Sequence, residues 1–314
     1  MSIPHSVKTL LFLILLGLTT ASSALAADAV AAYAISDSTT GFILEESNGA
    51  KKLQIGSLTK IATAMVVLDW SASRGGDLAG LASIPDSALP IASPEGVGFG
   101  PGDSCSLRDL LYAALMQSDN VAAVTLADHV GRTLGGGNTA PMVTFVAQMN
   151  ALARKLGMTR TRFINAHGLD RLESTLPYST AEDLSKLTAY AMANSAFRFY
   201  VSQKERKIAI LGGANGQREY LLRNINQVLG ASDIDGVKTG STARAGQCLI
   251  VSAAKAPDSR QQGDVHIITP RRLNVVILGA PDRFNLAVKL LNRGWRLYDS
   301  WSAAGRPPQW KASP

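Results

Sequence analysis

Strand-like alternation is confined to the two ends of this chain, and helical periodicity fills the middle. From Ala31 to Glu46 apolar and polar residues alternate around Thr39-Thr40-Gly41, which predicts a β-hairpin. Gly246 to Ala254 and Leu273 to Gly279 read as strands again, joined by a polar loop over 256–271. Between the ends, Ile61, Met65 and Leu68 mark a helix from Leu58 to Trp70. Residues 71–106 are rich in Gly, Pro, Ser and Asp and read as loops with short strands. Ser106, with Asp109 three residues on, caps a second helix, and a third follows Asn120. Pro141 opens a fourth that Gly157 stops, and Thr180 with Asp183 caps a fifth running to about Ser195. Asp282 caps a last helix striped by Phe284, Val288, Leu291, Trp295 and Tyr298. The expected fold is therefore α+β: one antiparallel sheet built from both chain ends, with an inserted helical block.

With 314 residues, 46% hydrophobic and 18% charged, the chain can bury a core and is not disordered. Met1 to Ala26 reads as a secretory signal: Lys8, an apolar run from Leu10 to Leu18, then Ala24-Leu25-Ala26. That run is about half the length needed to span a bilayer. The expected organisation is a signal peptide at 1–26, a catalytic domain at 27–300 and a short tail at 301–314. An exported protein is cut off from ATP and from reduced-thiol chemistry. The net charge of +7 is mild and has no basic cluster beyond Arg271-Arg272, so no nucleic-acid partner is expected. The four histidines show no metal-ligand spacing, and two cysteines cannot frame a disulfide scaffold. No metal or cofactor is implied. Cys105 and Cys248 could pair after export, but nothing in their spacing argues for it.

Three short motifs stand in order: Ser57-Leu-Thr-Lys60, Ser118-Asp119-Asn120 and Lys238-Thr239-Gly240. Each alone is weak. By average composition all three in this order arise in roughly one chain in a few hundred, or fewer. The first has a chemical reason. A serine hydroxyl needs a base to become a nucleophile, and Ser57 and Lys60 share one helix face. Lysine becomes a base only when it is desolvated or crowded by other cations. At a helix start the Ser57 N–H also points outward, where an oxyanion could form.

These motifs resemble the signatures of the penicillin-recognising serine enzymes, and the closer likeness is to the D-alanyl-D-alanine carboxypeptidases, the low-molecular-mass penicillin-binding proteins. The likeness runs from about Ala31 to Asp299. It includes Ile55-Gly-Ser57, Ser118-Asp-Asn120-Val-Ala-Ala, His167-Gly-Leu-Asp170, Tyr178-Ser-Thr-Ala-Glu-Asp183 and Gly236-Val-Lys-Thr-Gly-Ser241. It implies a β-lactamase/DD-peptidase-like fold. It implies peptidoglycan stem peptides as substrate and β-lactam antibiotics as acylating inhibitors. Ser57 would be the acylated nucleophile, Lys60 its base, and Ser118 the proton relay to the leaving group. Asn120 would hold the substrate amide, and Lys238, Thr239 and Arg272 the terminal carboxylate. Gly240 would let the substrate approach the strand, and Ser241 would give a second oxyanion N–H. Asp119 reads rather as a turn or cap carboxylate, and His167 as a loop-packing residue.

Many members of that family carry a second β-rich domain and an amphipathic membrane anchor. The residues after Trp301 are too few for either, so no membrane anchor is expected once the signal is removed. The likeness is to short members, some of which cut crosslinks as endopeptidases. Three rival readings exist. A class A-like β-lactamase needs a deacylating glutamate in a Glu-x-x-Leu-Asn setting, and Glu173-Ser-Thr-Leu176-Pro177 has proline in place of asparagine. A penicillin-binding sensor would acylate without turnover. An esterase on the same fold would not need the carboxylate-binding residues.

Overall fold

The computed structural model describes residues 30–135, 139–170 and 175–310. The expected signal peptide lies outside the described residues, as does Glu173.

β1 (Ala32–Asp37) and β2 (Ile43–Ser47) form the first hairpin. Its turn is closed by Asp37, whose carboxylate accepts from the Thr40 amide at 2.7 Å. β7 (Ile234–Thr242), β8 (Gly246–Gln262) and β9 (Val265–Ala280) come from the far end of the chain. The five join in the order β2-β1-β9-β8-β7, so the earliest strand pairs with the last, Ala34 opposite Val276. The expected two-ended antiparallel sheet is therefore present.

β9 explains its own sequence. Val275 and Ile277 face one core, with Leu291, Trp295 and Tyr298 of α7 (Arg283–Ala303). Val276 and Leu278 face the other core, with the inserted helices. A strand covered on both sides reads as a continuous apolar run rather than an alternation.

The inserted block holds α1 (Thr59–Arg74), α2 (Leu107–Met116), α3 (Asn120–Leu134), α4 (Pro141–Lys155), α5 (Ala181–Ala193) and α6 (Ser195–Ser202). Its caps are those the sequence announces. Ser106 Oγ accepts from the Asp109 amide at 3.0 Å, and Thr180 Oγ1 from the Asp183 amide at 3.1 Å. The helix expected to run to about Ser195 is α5, and a further helix, α6, follows it at once, because Asn194 ends one and caps the next by accepting from the Phe197 amide.

Three expectations are corrected. First, there is a second sheet, β3-β4-β5-β6, from β3 (Leu81–Ser83), β4 (Asp103–Ser106), β5 (Glu205–Gly212) and β6 (Arg218–Arg223). Second, the polar loop over 256–271 is a continuation of β8 and β9, paired out to Gln262 opposite Val265. An arm exposed on both faces has no apolar alternation to betray it. Third, the boundary at residue 300 falls inside α7, where Trp301 is buried and stacks on Phe42 at 4.9 Å.

Candidate active site

Ser57 lies in a 3-10 turn, Gly56–Leu58, that leads directly into α1. One turn on, Lys60 is fully buried among α1, the start of α3 and the loop after α4. Its Nζ donates to Asn120 Oδ1 at 2.8 Å and to the His167 carbonyl at 2.9 Å, and meets Ser57 Oγ at 2.9 Å. An amine nitrogen has three positions beyond its carbon. Two are committed to acceptors that can only receive N–H. In the neutral amine the third is the lone pair, directed at the Ser57 hydroxyl. Burial lowers the Lys60 pKa to about 7, against an opposing pull from Asp119.

Ser118 sits between α2 and α3 in the left-handed region, with φ of +63°, which is costly for a residue with a Cβ. Both neighbouring amides, Gln117 and Asp119, donate to the Ala113 carbonyl. The Asp119 carboxylate caps α3 through the Ala122 amide at 2.7 Å and holds the Val97 amide at 2.8 Å. Asp119 is thus the cap that its position suggests. Asn120 is committed on both ends of its amide, to Lys60 and to the Ile91 carbonyl at 3.2 Å. Its role in this arrangement is to hold the base.

β7 runs beside the nucleophile turn, and glycine is what lets it do so. A Cβ at Gly240 would come within 2.8 Å of the Ile55 carbonyl and 3.2 Å of the Leu58 amide. On the side a Cβ would occupy, the space that Gly240 leaves is filled by the turn bearing Ser57, while its backbone also lines the groove. On the turn's other side Gly168, at φ +88°, would drive a Cβ into the Gly56 carbonyl. The His167 ring packs in that loop: its Nδ1 accepts from the Leu169 amide at 3.1 Å, and burial holds its pKa near 3. Asp170 ties the loop to β7 by accepting from Thr242 Oγ1 at 2.8 Å.

Lys238 is buried, with Nζ on the Thr239 carbonyl at 2.9 Å. Burial, Lys60 and Arg283 together push its pKa well below the usual lysine value. Arg283, at the first position of α7, donates to the Gly240 carbonyl at 2.8 Å and lines the same groove as Ser57. Its Nε is buried with no partner among the described residues. Two buried amines, Lys60 and Lys238, thus stand close behind the groove that Arg283 lines, and Asp119 is the carboxylate that acts on Lys60.

Arg272 is not part of it. Its guanidinium grips Asp235 through two 2.7 Å bonds and donates to Ser252 Oγ at 3.0 Å. It lines a different groove, with Thr40, Met192 and Arg198. Lys238 is level with Ile250 and Val276 across the sheet, and Arg272 is four residues further along β9. At about 3.3 Å per residue that is roughly 13 Å away. The arginine that the sequence reading missed is Arg283. Its signal was a cation at a helix N-terminus, where the macrodipole disfavours one unless something else needs it.

The groove, about 1050 Å³, gathers Ser57, Ser118, Asn120, Thr239, Gly240, Ser241 and Arg283. Cys105 and Cys248 are both buried and free, on β4 and β8 of different sheets. A serine faced by a buried amine, beside a groove on a two-ended sheet, is an arrangement able to carry serine acyl transfer with lysine as the base. The chain belongs to the D-alanyl-D-alanine carboxypeptidase family of serine peptidases, whose profile matches residues 18–262. It is 32% identical over 277 residues to the D-alanyl-D-alanine carboxypeptidase DacC of Escherichia coli (strain K12), covering 86% of this chain and 62% of that one. It is 34% identical over 229 residues to the D-alanyl-D-alanine endopeptidase of Pseudomonas aeruginosa, covering 69% and 64%. The solved Streptomyces K15 DD-transpeptidase superposes with a TM-score of 0.70 at 29% identity, covering 85% of this chain and 97% of that one.

Proposed function

We propose that this protein is a serine DD-peptidase that cleaves D-alanyl peptide bonds in peptidoglycan stem peptides through an ester on Ser57. The observation that carries this reading is the set of three contacts around Lys60 Nζ, which leave one direction for a lone pair and point it at Ser57. Lys60 takes the Ser57 proton as Oγ attacks the D-alanine carbonyl. The Ser57 and Ser241 amides receive the oxyanion. Ser118 returns a proton to the departing nitrogen, and water then releases the acyl group. Lys238, Thr239 and Arg283 receive a substrate carboxylate, a charge-assisted contact. A β-lactam presents the same carboxylate and a strained amide, and acylates Ser57 by the same attack. The apolar run at 10–18 followed by Ala24-Leu25-Ala26 supports export to the compartment where peptidoglycan lies.

A labelled penicillin should attach to Ser57 by peptide mapping, and muropeptides should lose terminal D-alanine or fall apart at a crosslink by mass spectrometry. Labelling that survives Ser57→Ala, or muropeptides left intact by acylation-competent protein, would refute the reading.

A further inference from the structure

The groove that holds Ser57 is bounded by two open strand edges. β6 is the outer strand of the four-stranded sheet and β7 that of the five-stranded sheet. They are consecutive in the chain, and consecutive strands usually neighbour one another, but these two lie in different sheets. The connection between them is pinned elsewhere. The Asn224 amide donates to the Lys204 carbonyl at 2.8 Å, the Ile225 amide to Met116 at 3.1 Å, and Asn226 Nδ2 to Gly236 at 3.1 Å. The separation is therefore built into the fold. Tyr220 and Leu221, adjacent and on opposite faces of β6, both line the groove. Arg223, on the same face as Leu221, lines it too, so the groove meets β6 at its outer edge and along that face. At about 1050 Å³ the groove reaches the upper end of what a drug-sized ligand fills, about 300–1000 Å³.

We infer that β6 is the seat of the second peptide of a crosslinked pair, while β7 seats the peptide whose D-alanine carbonyl meets Ser57. This rests on the reading of Ser57 as a DD-peptidase nucleophile. A strand edge offers main-chain N–H and C=O groups to an extended peptide whatever its side chains. Leu221 and Ile225, each 40% exposed, add apolar surface at that edge. Arg223, with 74% of its side chain exposed, pairs with Glu205 at 3.3 Å, a solvent-exposed contact weak enough for a stem peptide's free carboxylate to displace. The β6 wall also adjoins the turn carrying Ser118, because Gln117 Nε2 donates to Tyr220 Oη at 2.8 Å. A nitrogen leaving past Ser118 carries its attached peptide toward β6. The Ser57 Oγ–carbonyl bond forms and the bond to the second peptide's amine breaks. That amine takes the proton Ser57 gave up. Water then hydrolyses the ester, restoring the Ser57 hydroxyl and freeing a D-alanine carboxylate.

The test compares two rates in wild-type protein and in the exposed-residue variants Leu221→Asp, Ile225→Asp and Arg223→Glu. One is kcat/KM for a purified crosslinked muropeptide dimer; the other is the second-order rate of benzylpenicillin acylation. The expected result is that the ratio of the first to the second falls at least tenfold in the variants. A ratio that stays within twofold overturns the inference, whether both rates fall together, as when one peptide spans both edges, or neither does. Wild-type protein that is acylated by penicillin but leaves the dimer intact also overturns it. Loss of acylation in the wild type would instead refute the reading of Ser57.

Discussion

The guanidinium of Arg283 is fastened to the main chain of Gly240, the residue whose missing side chain lets β7 touch the turn that carries Ser57. One arginine at the head of the last helix therefore lines the groove and is anchored to the strand that shapes it. Arg283→Gln should lower kcat/KM by roughly ten- to a hundredfold for peptides ending in a free carboxylate, the worth of a charge-assisted hydrogen bond of about 1.5–3 kcal/mol. A terminal amide should lose less. Equal loss on the acid and the amide would show that Arg283 serves only the strand.

Arg272→Ala is the complementary case. Its ion pair with Asp235 is partly open to solvent, with 36% of the aspartate side chain exposed. Removal should cost about 1 kcal/mol, a melting shift of roughly 2 °C, with kcat/KM within about threefold of wild type. Thermal denaturation and a turnover assay on the same preparation check both halves.

Acylation should depend on pH through Lys60. Its pKa is lowered to about 7, so below that value the folded protein holds a protonated amine that cannot accept the Ser57 proton. The rate of penicillin acylation should rise about tenfold per pH unit up to about 7 and then level off. Asp119 raises the Lys60 pKa, so Asp119→Asn, which keeps a capping side chain, should move the midpoint to lower pH. A midpoint that does not move would show that the titration belongs to another group.

Gly240→Ala tests the close approach of strand and turn. The added methyl would meet the Ile55 carbonyl at 2.8 Å, and the turn must retreat. Acylation should fall about a hundredfold, as for a misplacement of about 1 Å in a nucleophile. Near-UV circular dichroism should stay close to wild type. A rate within threefold of wild type would mean the turn yields without moving Ser57.

Both thiols should be silent in the folded protein. Burial raises the pKa of Cys105 to about 12 and that of Cys248 to about 11, and neither is exposed. A thiol reagent should titrate none in native protein and two after unfolding without reductant. A native disulfide would leave none in either state.

The parts of this molecule that were legible in the sequence are those with local causes. Caps at Ser106 and Thr180, the hairpin turn at Thr39-Thr40-Gly41, and the Ser57–Lys60 spacing each depend on residues within a few positions of one another. Arg272 was misplaced because strand register decides it. Nothing within five residues of Arg272 says that it lies level with Ala254 rather than with Lys238. β5 and β6 went unseen because their exposed positions carry Glu205, Arg206, Lys207, Glu219 and Arg223 with little apolar contrast. Asn120 was legible as a site residue but not in its role, since its partners Lys60 and Ile91 depend on packing.

The reactive centre draws on α1, the turn before α3, the carbonyl of His167, β7 and the head of α7, segments that meet only when the first and last strands have closed the sheet. Before that closure Lys60 is an ordinary hydrated lysine and Ser57 an inert alcohol. On the proposed function, reactivity toward a β-lactam would therefore be a property of the completed tertiary structure. A fluorescent penicillin would count native molecules and ignore unfinished ones, which makes the antibiotic a conformational probe for following the refolding of this chain.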